Sequence, residues 1–346
     1  MPAIESYTFD LSNHEDLANL IYNISPTETP FVNSAMRGIA SNKHHEWEMD
    51  QLAAAAFNAQ VEGVSFTAAE TRAAPERLQT YTQISTKDLR VTGTQEAINK
   101  VGRSSELAYQ MAKQGLEIRR DMERQLMGFM TSADATATIG VGSFGDSYPL
   151  RVGSSSVARV TGSVRTWIRF NTSLSATGSP SNALPASAVN QPADDAVAVS
   201  GTARALLESD VKAVIRSAWT EGGNPSMIFV DAFNKQAVSA FTGGTTKYDT
   251  SEDKKLVTAI DLYISDFGDH TVIPDRFLIQ PNGAGSNGTA LYALDMNYWG
   301  IHYLRQFHEV NLAKTADSEN RALIAEWALV CKNPRGQACV ADLIFS

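Results

Sequence analysis

Basic residues are missing where a nucleic-acid-condensing arm would need them: no Lys or Arg precedes Arg37, while Glu5, Asp10, Glu15, Asp16 and Glu28 all do. With a formal charge of −9 over 346 residues, the chain is not built for tight nonspecific binding to DNA. Arg119, Arg120 and Arg124 form a local basic cluster suited only to weak contacts. Long apolar runs are missing as well. No stretch approaches the roughly eighteen apolar residues of a membrane span, and Met1-Pro2-Ala3 leads into polar residues rather than a signal sequence. The expectation is a protein made and kept in a soluble compartment, with no membrane partner. Cysteine is scarce. Cys331 and Cys339 flank the turn Asn333-Pro334-Arg335-Gly336; a two-residue loop leaves them on different faces and a bulged turn brings them together. A structural disulfide is not expected in that context.

Catalytic signatures are missing too. There is no Gly-x-Ser-x-Gly elbow and no His-Glu-x-x-His. Gly140-Val-Gly142-Ser-Phe-Gly145 matches the dinucleotide fingerprint in letters, but that motif works only where a strand feeds a helix N-terminus. Here a helix precedes it, Pro149 follows closely, and the position where an acidic ribose ligand belongs is Arg165. His44, Glu46, Glu48 and Asp50 form a row on one strand face, spaced about 7 Å apart, too far to converge on one ion. They read instead as a solvated or intersubunit acidic edge facing Arg72, Arg77 or Arg90. No enzyme activity, cofactor or metal is expected. Trp47, Trp167, Trp219, Trp299 and Trp327 each sit in an apolar stretch and read as core.

What is present is a change of period. Through His44–Asp50, Glu46 and Glu48 alternate with Trp47 and Met49, and a return arm from Leu78 to Val91 is rich in Thr, Tyr, Ile and Val. The connection from Ala53 to Arg77 far exceeds a hairpin loop. A lone ribbon is marginal in water, so this one is expected to lie against another copy of the chain. After Gly93 the period becomes helical. Ile98, Val101, Ala108, Met111, Ile118, Met122, Leu126 and Phe129 make an apolar stripe opposite Arg103, Lys113, Glu117, Arg120 and Arg124. Capped by Ser104 or Ser105 and running to about Met130, the helix would span roughly 40 Å.

At 43% hydrophobic the chain can bury a real core, in two or three lobes. Residues 1–43 read as an extended arm with one short helix, Asp16 to Tyr22, interrupted by Pro26 and Pro30. Residues 131–203 lack Lys, Glu, His and Cys and read as a loop-rich β insertion. From Arg204 the pattern is compact α/β. A helix through Leu206 and Trp219 ends at Gly222-Gly223, a strand covers Met227–Val230, and a helix covers Asp231–Phe241. Further strands cover Ala259–Ser265, Arg276–Gln280, Leu291–Leu294 and Ile301–Leu304, and Leu323–Cys331 with Ala338–Phe345 reads as a closing hairpin.

Several segments together, in order, resemble the major head proteins of certain tailed bacteriophages: Ile24-Ser-Pro-Thr-Glu-Thr-Pro-Phe31, His45-Glu46-Trp47, Tyr81-Thr-Gln-Ile84, Val91-Thr-Gly-Thr-Gln95, Gly102–Gln110, Asp266-Phe-Gly268 and Leu312–Asp317. The resemblance implies an α+β, Hong Kong 97-type capsid fold. It would have an N-terminal arm (1–43), an extended β-hairpin loop (44–92), a peripheral-domain spine helix (93–130), the β insertion (131–203), an axial domain (204–320) and a C-terminal hairpin returning to the peripheral domain (321–346). The insertion would form a surface feature of the shell or a local contact. The implied function is a virion capsid protein that assembles in the host cytoplasm as hexamers and pentamers into an icosahedral or prolate head. The head would enclose double-stranded DNA without sequence-specific binding, with separate scaffold, portal and cement proteins as partners. Intersubunit contacts are expected from Glu46, Trp47, Glu48, Arg72, Arg77, Arg90, Arg119, Arg120 and Arg124. One departure matters: some relatives lock their shells by a Lys-to-Asn isopeptide bond from the loop, and this loop has no Lys between Lys43 and Lys87. An encapsulin-like compartment shell and a non-capsid virion or binding component are the alternative readings.

Overall fold

The computed structural model describes residues 25–63, 75–100, 102–130, 146–180, 197–241, 261–278, 289–314 and 316–344. The helix expected at Asp16–Tyr22 lies outside them. Pro30 opens α1 (Pro30–Ser34) at a position where its missing N–H costs nothing. After β1 (Met36–Ile39), β2 (His44–Met49) pairs antiparallel with β3 (Glu76–Tyr81), His44 opposite Tyr81 and Met49 opposite Glu76. Alternation works as expected here: Glu46, Glu48 and Asp50 are exposed, while Trp47 and Met49 pack on the core.

The return arm is not one strand of a long hairpin. It breaks at Thr82, whose amide donates to Lys43 O at 2.9 Å and whose hydroxyl donates to Glu326 Oε1 at 2.8 Å. Beyond this pivot β4 (Gln83–Thr92) leaves the ribbon and joins a different sheet. A short helix α2 (Gly93–Ala97) follows, and then the spine, α3 (Glu106–Met127). Ser105 caps α3 by accepting the Ala108 amide at 3.3 Å, and the chain leaves it at Gly128. Its 22 residues span about 33 Å. Only the later part of the expected stripe is buried: Ile118, Met122, Leu126 and Phe129 are core, whereas Ile98 and Ala108 face water.

Residues 146–180 contain β5 (Leu150–Arg151), β6 (Val160–Thr161), α4 (Val164–Trp167) and β7 (Asn171–Ser173). They differ from the loop-rich surface insertion expected, while 131–145 and 181–196 of that insertion lie outside the described residues. Leu150, Val164, Trp167 and Ile168 are fully buried in the main core, and β7 is an edge strand of the larger sheet. Too few apolar residues stand in regular order there for periodicity to register them. The remaining elements are α5 (Glu208–Thr220), β8 (Met227–Val230), α6 (Ala232–Ser239), β9 (Leu262–Ser265), β10 (Gly268–Pro274), β11 (Thr289–Leu294), β12 (Trp299–Asn311), β13 (Ser318–Cys331) and β14 (Ala338–Leu343). Arg276–Leu278 is a 3₁₀ turn rather than the start of a strand.

Two sheets organise the molecule. The four-stranded sheet runs β1-β12-β13-β4, with β1 parallel to β12, and the six-stranded sheet runs β7-β14-β11-β8-β10-β9. The closing hairpin does not form. At the turn Pro334–Gly336 the chain passes from one sheet to the other, so β13 pairs with β12 and β4 while β14 pairs with β11 and β7. Cys331 and Cys339 are buried free thiols. The main core gathers Phe31, Met122, Trp167, Trp299, Trp327 and Tyr292 from the arm, the spine, α4 and both sheets; a second packs α5 on β8, β11 and β14. Trp219 is the exception among the tryptophans, 55% exposed beside the Phe267 ring.

Candidate assembly surfaces

Beyond β2 the loop carries no regular structure through Gly63, and its apolar side chains stand in water: Leu52 is 99% exposed, Phe57 94% and Val61 80%. Of the residues expected at contacts between subunits, Glu46 and Glu48 lie on the outer face of the ribbon, and Arg77 sits opposite Glu48 in register. Trp47 points the other way, its ring 5.5 Å from that of Trp167, and backs the ribbon from inside. Arg72 lies outside the described residues. Arg90 is not opposite the acidic row; it is on β4 and donates to Ser318 Oγ at 2.9 Å. The spine arginines serve different neighbours. Arg119 donates to Asn33 Oδ1 at 3.2 Å, and Arg120 lies 6.0 Å over the Phe277 ring, with Arg124 one turn on.

A groove of about 720 Å³ opens between β1, α3 and β12. Its walls include Ile39, Leu116, Tyr303 and Phe307, with Arg37 and Arg119 as its cations. Burial pushes the Tyr303 phenol up, and the two arginines partly offset this, so both guanidinium charges act on the groove. Among the described residues β1 is an edge strand, and Ile39 on it is 80% exposed. Neither the loop's apolar trio nor the groove was found by sequence reasoning. The trio had a signal, isolated large apolar residues in an alanine-rich polar excursion; the groove, assembled from three distant segments, had none.

Buried charge ties these surfaces to the body. Glu326 accepts from Thr82 Oγ1, from Arg159 at 2.7 Å and from Arg305 at 2.8 Å, joining the ribbon's pivot to β6 and the long strands. His45, at the base of the ribbon, contacts His302 on β12 at 2.9 Å. Burial, then the neighbouring His45 and Lys332, holds His302 down at about 4, and burial lowers His45 as well. Arg165 and Asp342 form an ion pair at 3.3 Å with both side chains buried. Among the described residues no group of three or more His, Cys, Asp or Glu is arranged to hold a metal, and no helix is long and apolar enough to cross a membrane.

The described residues thus leave uncovered an apolar loop, an open groove and a free sheet edge. The chain belongs to the SU10 major capsid protein family, whose model matches residues 3–343. It is 35% identical over 122 residues to the major capsid protein of Escherichia phage Phieco32, a match spanning 34% of that protein's length. Its fold is similar to that of a chain in the Cyanophage A-1(L) capsid asymmetric unit, with a TM-score of 0.60, 15% identity, and coverage of 99% of this chain and 100% of the other. The SrpI encapsulin complex of Synechococcus elongatus shares the fold with a TM-score of 0.50 and 9% identity, covering 99% and 97% of the two chains. The α+β, Hong Kong 97-type architecture is therefore established.

Proposed function

We propose that the chain is the structural subunit of a tailed-phage head, assembling through hexamers and pentamers into an icosahedral or prolate shell around double-stranded DNA. The observation that carries this reading is the loop at 50–63, whose Leu52, Phe57 and Val61 are open to water while a matching groove stands open on the same chain. The loop of one copy lies across the next, its apolar side chains in the groove and Asp50 and Glu62 toward Arg37 and Arg119. Glu46, Glu48 and Arg77 on the outer face of the ribbon, together with Arg72 and with Arg90 on β4, supply polar contacts between subunits. Trp47 holds the ribbon from behind.

Because no Lys lies between Lys43 and Lys87, the shell is held without a covalent mesh from this loop, by loop overlap, arm exchange and salt bridges. Each contact is modest, and strength comes from their number. Separate scaffold and portal proteins during assembly in the host cytoplasm, and a separate cement protein on the finished shell, are compatible with such a shell and not required by it. The acidic composition leaves packaged DNA mobile. Negative-stain microscopy of the chain expressed alone tests this: closed shells, hexamers or pentamers are expected. A uniform small oligomer that never assembles, even with its neighbouring gene products, overturns it. The encapsulin neighbour favours one competitor, a cellular shell around protein cargo; particles carrying protein cargo and no DNA would decide for it.

A further inference from the structure

Two acidic side chains are buried where the arm crosses the spine. Glu123 on α3 is 0% exposed, and Asp275, between β10 and the Arg276–Leu278 turn, is 1% exposed. Glu123 accepts the Phe31 amide on Oε1 at 2.7 Å and the Val32 amide on Oε2 at 2.8 Å. These are orphan first-turn amides of α1, which Thr29 does not cap with its side chain, so a residue of another helix does the capping. Asp275 Oδ1 accepts the Phe277 amide at 2.8 Å, and the buried Oδ2 meets no N–H or hydroxyl donor among the described residues, which leaves the Glu123 carboxyl as the side-chain hydrogen-bond partner of Asp275.

The two carboxyl groups adjoin, and two carboxylates in one dry site do not both ionise. Burial, followed by the Asp275 charge, raises Glu123 to about 8, and burial raises Asp275 to about 6. Several charged groups on the surrounding elements are paired with others. Arg276 faces Glu28 at 3.5 Å, Arg165 on α4 pairs with Asp342, and Lys87 on β4 pairs with Asp121 at 2.8 Å. On α3 itself Arg119 donates to Asn33 and Arg120 lies over Phe277, with Arg124 beside Glu123 in sequence. The phenol of Tyr292, on β11, is a further titratable group near Asp275.

We propose that Glu123 and Asp275 form a proton-operated latch, which clamps the α1 turn of the arm to the spine while one proton sits between the carboxyls and loosens when it is lost. Phe31 stays wedged between the Phe229 and Trp299 rings, at 5.9 and 5.8 Å, so the opening is local to the turn. The sign follows from linkage. The closed latch holds a proton that the opened one, with Glu123 in water near its ordinary 4.5, releases. Its stability is complete below that value and is lost progressively as pH rises toward about 8.

Hydrogen exchange of the purified full-length chain, followed by mass spectrometry over residues 29–35 and corrected for intrinsic chemistry, reads the latch directly. Between about pH 5.5 and about pH 7.5 the corrected rate should rise by more than about tenfold in the wild type and by a clearly smaller factor in Asp275→Asn, which removes the second charge and leaves the part due to burial. The rate over 208–220 should stay flat in both. A flat wild type, an unchanged slope in the variant, or an equal rise over 208–220 overturns the proposal. If Asp275→Asn does not fold, Glu123→Gln, which keeps one acceptor and removes the titration, is read the same way. The measurement concerns the arm within one chain, so it stands or falls separately from the assembly reading.

Discussion

Asp342 shows how much one side chain can hold in place. Its backbone sits at φ 59°, a left-handed conformation that Asp and Asn tolerate better than other non-glycine residues. Its carboxylate receives the Gly201 amide at 2.8 Å, the Ser175 amide at 3.0 Å and the buried Arg165 guanidinium. The last strand is thereby tied to segments from both halves of the 131–203 region. Removing the carboxylate strands a buried cation and two amides at once, a loss of about 3–5 kcal/mol. Asp342→Ala should show that loss in the guanidinium unfolding of unassembled subunits. Asp342→Asn keeps one acceptor and the backbone preference and should lose clearly less; equal losses would mean the ion pair is not what matters. None of this was legible beforehand. Arg165 stood out in the sequence only as a residue of the wrong sign for a nucleotide site, and nothing in a linear pattern couples it to a residue near the other end of the chain.

At the scale of elements, the end of α5 separates what local sequence can reveal from what it cannot. Gly222-Gly223 marks a helix stop, and the helix does end there, with Gly222 at φ +83° and the Gly223 amide bonded to Ala218 O at 2.8 Å. The second glycine answers a different demand: a Cβ on Gly223 would lie 2.2 Å from Gly336 O, against the turn that carries the chain between sheets. The obstacle is backbone and cannot swing aside. Gly223→Ala is expected to destabilise by about 1–3 kcal/mol, by the overpacking mechanism. Gly222→Asn, with open space around it and a residue suited to positive φ, is expected to be near neutral by the same thermal-melt comparison. The spine helix and its Ser105 cap were readable because they depend on neighbours in sequence. The break at Thr82 and the failed closing hairpin were not, because β3 and β4 look like one strand until Glu326 and β13 are in place.

For the whole molecule, the order of motifs carried the architecture further than composition could, since periodicity alone found strands and a spine but not which sheet each strand joins. It also left the proposed assembly surface unread, because within one chain such a surface shows only as apolar side chains with no cover. That property makes folding and assembly separable. Leu52 and Phe57 contribute nothing visible to the core of their own subunit, so a Leu52→Ser, Phe57→Ser double variant should keep the subunit's unfolding midpoint within the about 0.5 kcal/mol typical of surface changes. Each side chain gains about 1.5–3 kcal/mol if it is fully buried in an assembled shell. That amount recurs at every copy, so even a partial loss accumulates over the assembly. Sedimentation of variant and wild type at matched concentration should move material from the shell fraction to free subunits or capsomers, with the melting of the free subunit unchanged. If shells form at wild-type yield, the loop is not the clasp; if the free subunit is also destabilised, the loop packs on its own chain, and the groove beside α3 must take another occupant.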